Sequence, residues 1–182
     1  MKLNRELVGN HAPDFELPGI DGEVYHLGRY RENFQAIAVI MIGNQCPQTI
    51  KYLDRLKEIQ AQFASKKFTI VAINSNDSAN NLKESFADMK AFAADNELNF
   101  PYLCDPNQDV AKSFGAQVSP EVFLLDNNAV IRYVGQIDDN ADSSEAVQNQ
   151  YLKDSISNLL SEKKITTTGT KPVGTPIKWR KK

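Results

Sequence analysis

Cysteine is scarce. The 182 residues hold two, Cys46 and Cys104. So few thiols exclude a disulfide framework and fit either a reducing compartment or catalytic use of sulfur. Two histidines, His11 and His26, lie far in sequence from both cysteines, which argues against a structural zinc site. No apolar run approaches the ~20 residues that a membrane-spanning helix needs. An excess of one charge is also missing: 21 Lys and Arg against 23 Asp and Glu leave a net charge of −2. Nothing global therefore attracts nucleic acid. The N-terminal stretch Met1-Lys2-Leu3-Asn4-Arg5-Glu6 has no apolar core, so no secretory leader is expected. These absences predict a cytoplasmic protein with no membrane or nucleic-acid partner. The remainder is ordinary, with 41% hydrophobic and 24% charged residues, and the length suits one domain with a sizeable core.

The chemistry concentrates between Ala36 and Leu56. The unbroken apolar run Ala36-Ile37-Ala38-Val39-Ile40-Met41-Ile42 is rich in β-branched residues. It predicts a strand buried on both faces. Gly43-Asn44-Gln45 reads as a turn, with Gly43 allowing it to be tight and Asn44 a good cap. Pro47 and a spaced apolar pattern (Ile50, Leu53, Leu56, Ile59, Phe63) then start a helix. Cys46 is thus expected where a buried strand hands over to a helix. Free backbone N–H groups and the positive end of the helix dipole there favour a thiolate.

Around this centre the elements alternate. An N-terminal hairpin is predicted over 11–27, with an edge strand between Pro13 and Pro18 and a turn at Gly19-Ile20-Asp21-Gly22. Phe68–Asn74 reads as a second buried strand. Leu82 to Asn96 reads as an amphipathic helix (Leu82, Phe86, Met89, Phe92), and Phe100–Cys104 as a third strand. A short helix follows Pro106 and ends at Gly115. Ser119–Asp126 and Val130–Val134 form a pair of strands around Asn127-Asn128, and Glu145 to Leu160 is a last helix. This order predicts an α/β fold with a mixed central sheet flanked by helices.

The residues resemble the thioredoxin-like superfamily, in particular its peroxiredoxin-related AhpC/TSA branch. The resemblance rests on Ala12-Pro13-Asp14-Phe15, Asn44-Gln45-Cys46-Pro47, Val71-Ala72-Ile73-Asn74, Phe100-Pro101-Tyr102-Leu103, Val118-Ser119-Pro120, Gly135-Gln136-Ile137-Asp138-Asp139 and Ile177-Lys178-Trp179. It implies a thioredoxin-like domain over 1–164 and a C-terminal tail, 165–182, docked on it. It also implies a thiol-based redox protein in which Cys46 attacks a peroxide or a disulfide, an antioxidant role in the first case. A thioredoxin or a small thiol would be the reductant, and no cofactor or metal is implied. Bacterial relatives of this kind carry Cys-x-x-Cys, whereas Gly43 stands here where the first cysteine would be. Peroxiredoxins carry a Pro, a Thr and an Arg where this chain has Val39, Gly43 and Pro120. Two-thiol exchange should therefore be absent.

The same residues carry plainer readings. Cys46 is either the attacking sulfur or a thiol left after its partner was lost. Cys104 is either a resolving cysteine or, with more weight, a small apolar filler. Ser119 and Pro120 resemble the cis-proline loop of a substrate groove, with Gly43, Asn44, Gln45 and Pro47 on its other side. A cis bond is expected there despite a base rate of roughly 5–6%. The alternative function is a redox-inactive module that uses the groove for a peptide or protein. The tail is expected to dock through Ile177 and Trp179 with its lysines solvated. The redox reading also requires the Cys46 sulfur to be reachable from solvent and seated at the helix N-terminus.

Overall fold

The structure is a computed structural model and describes residues 4–80 and 83–181. At the front, β1 (Glu16–Pro18) pairs antiparallel with β2 (Val24–His26), Leu17 opposite Tyr25. Asp21 Oδ1 accepts from Glu23 N at 3.0 Å and fixes the turn. This hairpin forms its own small sheet beside the main one. The single turn α1 (Leu27–Tyr30) leads from it toward the core.

Five strands make the central sheet. They are β3 (Ala36–Met41), β4 (Phe68–Asn74), β5 (Tyr102–Cys104), then, after the two-residue β6 (Val118–Ser119), β7 (Glu121–Asp126) and β8 (Ile131–Gly135). Their order is β5-β4-β3-β7-β8. β3, β4 and β5 run parallel, and β7 lies antiparallel to β3 with Val39 opposite Phe123. Side chains alternate across β3. Ala38 and Ile40 meet one core cluster with Leu56, Ile59 and Phe63. Ile37, Val39 and Met41 meet the other, with Phe114, Phe123 and Ile177. Both faces of the strand are therefore dry, as its unbroken apolar pattern requires. The result is the mixed α/β sheet with flanking helices read from the sequence, and its fold is thioredoxin-like.

The helices are α2 (Pro47–Phe63), α3 (Phe86–Asp95), α4 (Asp109–Phe114) and α5 (Tyr151–Leu160). Three of them depart from the sequence reading. In α2, Ile50 is 52% exposed while Tyr52 is buried. At ~100° per residue, Ile50 lies about 120° round the helix from Leu56, off the face that meets the sheet. α3 starts at Phe86 rather than at 82. Ser85 caps it, accepting from Asp88 N at 3.1 Å, while Asp88 Oδ2 accepts from Ser85 N at 3.3 Å. Leu82 lies outside the described residues. α5 starts at Tyr151 rather than at Glu145. Asp139 Oδ1 accepts from Gln148 N and Asn140 Oδ1 from Ser143 N, so side chains take amides that a helix would have used.

The strand expected over 119–126 is broken at Pro120 into β6 and β7. β6 leaves the central sheet and pairs instead with β9 (Thr175–Pro176) of the tail. Ile177 is buried beside that pair, whereas Trp179 is 41% exposed. Trp179 is thus not a docking anchor, and its place is taken by hydrogen bonds from the backbone on either side of it.

Candidate active site

β3 delivers the chain to Gly43, and α2 takes it up at Pro47. Cys46 is the residue between, extended at φ −89° and ψ 110°, in the N-cap position of α2. Pro47 fills the first helical position, where no N–H is needed. Thr49 N donates to Cys46 Sγ at 3.4 Å, so the sulfur does the work of a capping oxygen. On its other side Sγ donates to the carbonyl of Ser119 at 2.9 Å. The Ser119–Pro120 bond is cis, as the sequence reading expected. The Thr49 contact strengthens as the sulfur gains negative charge, while the Ser119 contact exists only for the thiol.

A buried polar network holds the turn before Cys46. Glu84 is 3% exposed. Its carboxylate accepts from Asn44 N at 3.1 Å, from Gln45 N at 2.9 Å and from Asn74 Nδ2 at 2.6 Å. Tyr102 Oη donates to Asn44 Oδ1 at 2.7 Å. Burial, with the Glu84 carboxylate nearby, pushes the Tyr102 phenol well up and keeps it a donor. Asn76 donates twice to Asn74 Oδ1, from its backbone N and its Nδ2, both at 3.0 Å. Glu84, Asn74, Asn76 and Tyr102 were not among the candidate site residues. Glu84 precedes a helix cap and reads as a solvated acid until the tertiary fold turns it inward.

Of the candidates, Cys46, Ser119 and Pro120 come together, with Gly43 and Asn44 buried behind them and Gln45 and Pro47 exposed. Cys104 ends β5 in register with Asn74, half-buried against the core that α2 and α3 cover. Its thiol is pushed up by burial and then by the neighbouring Asp105 carboxylate. Both cysteines are free. Among the described residues, no group of three His, Cys, Asp or Glu side chains could hold a metal ion.

Solvent access departs from what the redox reading requires. Cys46 is 5% exposed. The crevice over it has a volume of about 10 Å³ and is walled by Asn76, Ser119, Thr175, Pro176 and Lys178. That is room for one water at most. The sulfur is at the helix N-terminus, but in this conformation the tail closes it off. Past Pro120 a cavity of about 100 Å³ continues between Tyr52, Ile137, Asp138 and Val173. Asp138 there is buried and paired with Arg55 at 2.7 Å, and it accepts from Tyr52 Oη at 2.8 Å.

The sequence profile of the AhpC/TSA family matches residues 8–134. The thiol-disulfide oxidoreductase ResA of Geobacillus thermodenitrificans is 24% identical over 127 residues, 70% of this chain and 68% of that protein. The crystal structure of a hypothetical protein from Sinorhizobium meliloti is 32% identical with a TM-score of 0.88, covering 95% of this chain and 94% of that one. A structure described as a DsbE-type thiol:disulfide interchange protein of Chlorobium tepidum is 24% identical, covers 84% of this chain and 97% of its own, and superposes with a TM-score of 0.69. It shares the fold. The profile spans more than half of the chain, from before the hairpin to the last strand of the central sheet, and this chain belongs to the AhpC/TSA family.

Proposed function

We propose that the protein is a one-thiol disulfide exchanger acting through Cys46. The Cys46 thiolate attacks one sulfur of a disulfide in its substrate. That S–S bond breaks, a Cys46–substrate disulfide forms, and the other substrate sulfur leaves as a thiolate that takes a proton from water. A second thiol, either a small thiol or that of a thioredoxin, attacks the substrate sulfur of the mixed disulfide. The Cys46 thiolate leaves, and the substrate remains joined to the reductant by a new disulfide. The exposed Gln45 and the Ser119–Pro120 loop position the substrate on either side of the sulfur, whereas Asn44, buried and with its polar groups taken by Glu84, Lys83 and Tyr102, holds the turn instead. The observation that carries this reading is the placement of Cys46 Sγ at the N-terminus of α2, where it accepts from Thr49 N, beside the Ser119–Pro120 loop. The naming of relatives as thiol-disulfide oxidoreductases supports it.

Disulfide is preferred over peroxide as substrate. Among the described residues, the hydrogen-bond partners of the sulfur are Thr49 N and Ser119 O. Val39, Gly43 and Pro120 offer no side-chain donor where a peroxide would need polarising. The cytoplasm, with its thiol reductants, is the compartment this proposal assigns, on the strength of two unpaired cysteines.

The test is turnover of a peptide disulfide with reduced glutathione as the second thiol. Wild-type protein accelerates it, and Cys46→Ser does not. Equal rates with and without the sulfur would remove the proposal. The closure of Cys46 favours a second reading, a binding module that uses the groove without chemistry. In that case Cys46→Ser would keep the partners and the cellular role of the wild type.

A further inference from the structure

We infer that residues 174–178 are a built-in occupant of the Cys46 groove, a strand that the protein must release before Cys46 can react. The inference rests on the reading of Cys46 as the reacting thiol. β6 is an edge of two residues that leaves the central sheet just before Pro120. Such an edge offers its backbone to any extended chain laid beside it. Here the tail takes that place, with Thr175 opposite Ser119 and Pro176 opposite Val118, antiparallel. Ile177 N extends the ladder to Gln117 O at 3.1 Å. The residue that accepts from Cys46 Sγ is thus the one paired with the tail.

The fit is close. A Cβ on Gly174 would lie 2.3 Å from Ser119 O and 2.6 Å from Ser119 C, so glycine alone lets the strand lie flat on this peptide unit. Past the crevice, the backbone of Lys178 is clamped. Its N donates to Asn76 Oδ1 at 3.0 Å, and its O accepts from Asp77 N at 2.8 Å and Gln108 Nε2 at 2.9 Å. Asn76 therefore holds the tail directly and joins it, through Asn74 and Glu84, to the turn that carries Cys46.

The occupant is also releasable. Ile177 is its one buried side chain, and Pro176 and Lys178 are exposed. Besides the strand pairing, it is held by the backbone bonds of Lys178 and, just beyond, by the surface contacts of Arg180 with Asp77 and Pro106 O. A two-residue pairing with one buried side chain opens at a lower cost than the whole domain does. Gly174-Thr175-Pro176-Ile177-Lys178 contains no sulfur, so it fills the groove without reacting. The groove therefore takes an extended polypeptide, and a substrate enters by competing with the tail for the backbone of β6. Reactivity at Cys46 is then the product of its intrinsic rate and the open fraction.

The experiment is alkylation of Cys46 by iodoacetamide in the reduced full-length protein, read by peptide mass mapping. Gly174→Val and Ile177→Ser each weaken the tail contact by a different route. Both are expected to raise the Cys46 rate about 10- to 100-fold while Cys104 is unchanged. A synthetic peptide of residues 172–179 added in trans should slow Gly174→Val again. Folded variants whose Cys46 reacts at the wild-type rate would overturn the inference. Should a variant fail to fold, hydrogen exchange of the wild type decides. The Ile177 and Asp77 amides should open with the same free energy that protects Cys46 from alkylation. Exchange of both only through global unfolding would overturn it. Fast alkylation of Gly174→Val without a mixed disulfide would support the strand and remove the redox reading.

Discussion

Asn76 stands where a side chain at position 43 would have to go. A Cβ on Gly43 would lie 2.7 Å from Asn76 Nδ2, and that amide is held by Asn74 Oδ1 at 3.0 Å. The packing around position 43 is thus built for a residue without a side chain. Gly43→Cys should cost about 1–3 kcal/mol, since Asn76 must shift and give up its bond. Gly43→Cys with Asn76→Ser should cost less than the two single changes summed. Urea unfolding checks both, and a disulfide between positions 43 and 46 should form readily only in the double variant.

Glu84 gathers three N–H donors around one buried carboxylate. Glu84→Gln keeps the shape but turns an NH2 group toward donors. It should destabilise the fold by about 2–3 kcal/mol, read as a lower urea midpoint at constant slope. A change within a few tenths would mean that the turn before Cys46 holds itself.

Arg55 is the cation that balances the buried Asp138, at 2.7 Å. Arg55→Ala leaves that carboxylate with hydrogen bonds alone and should cost about 3 kcal/mol or more. Replacing Asp138 by Asn in the same background should recover part of the loss. A double-mutant cycle with no coupling would contradict this account of the pair.

Alkali should unfold the protein through its tyrosines. Burial raises the phenols of Tyr52, Tyr102 and Tyr133, and burial with the Asp21 hydrogen bond raises Tyr25. In the unfolded chain they ionise near ~10. Their raised folded values mean that this stability is complete below about pH 10 and is lost as pH climbs toward the folded values. The urea midpoint should fall above about pH 10, and tyrosinate absorbance of the folded protein should lag that of the denatured one. Coincident titrations would contradict it. At the acid end Asp77 is lowered, first by Asn80 and also by Ala79 N and Arg180. Its contribution is present above the unfolded value of about 3.9 and fades as pH falls through the folded one.

The strand–turn–helix around Cys46 was legible because its signals are local. A β-branched apolar run, a Gly-Asn turn and a Pro each act within a few residues. The cis bond at Pro120 came from resemblance, since no local pattern distinguishes it from a trans proline. The inward turn of Glu84 was not legible, because its three donors come from positions 44, 45 and 74. The β6–β9 pairing was hidden for a related reason. Two residues have no periodicity, and Ser119 and its partner Thr175 lie 56 positions apart in the chain. Closure of the sulfur followed from that unread pairing.

The central claim is that Cys46 is the one reacting sulfur. It is tested most directly by exposing the reduced full-length protein to oxidised glutathione and mapping adducts over time by mass spectrometry. The account predicts glutathione first on Cys46, later on Cys104, and no bond between the two cysteines. It also predicts a faster Cys46 adduct in Gly174→Val. Glutathione on Cys104 alone, with Cys46 unmodified even in that variant, would contradict it.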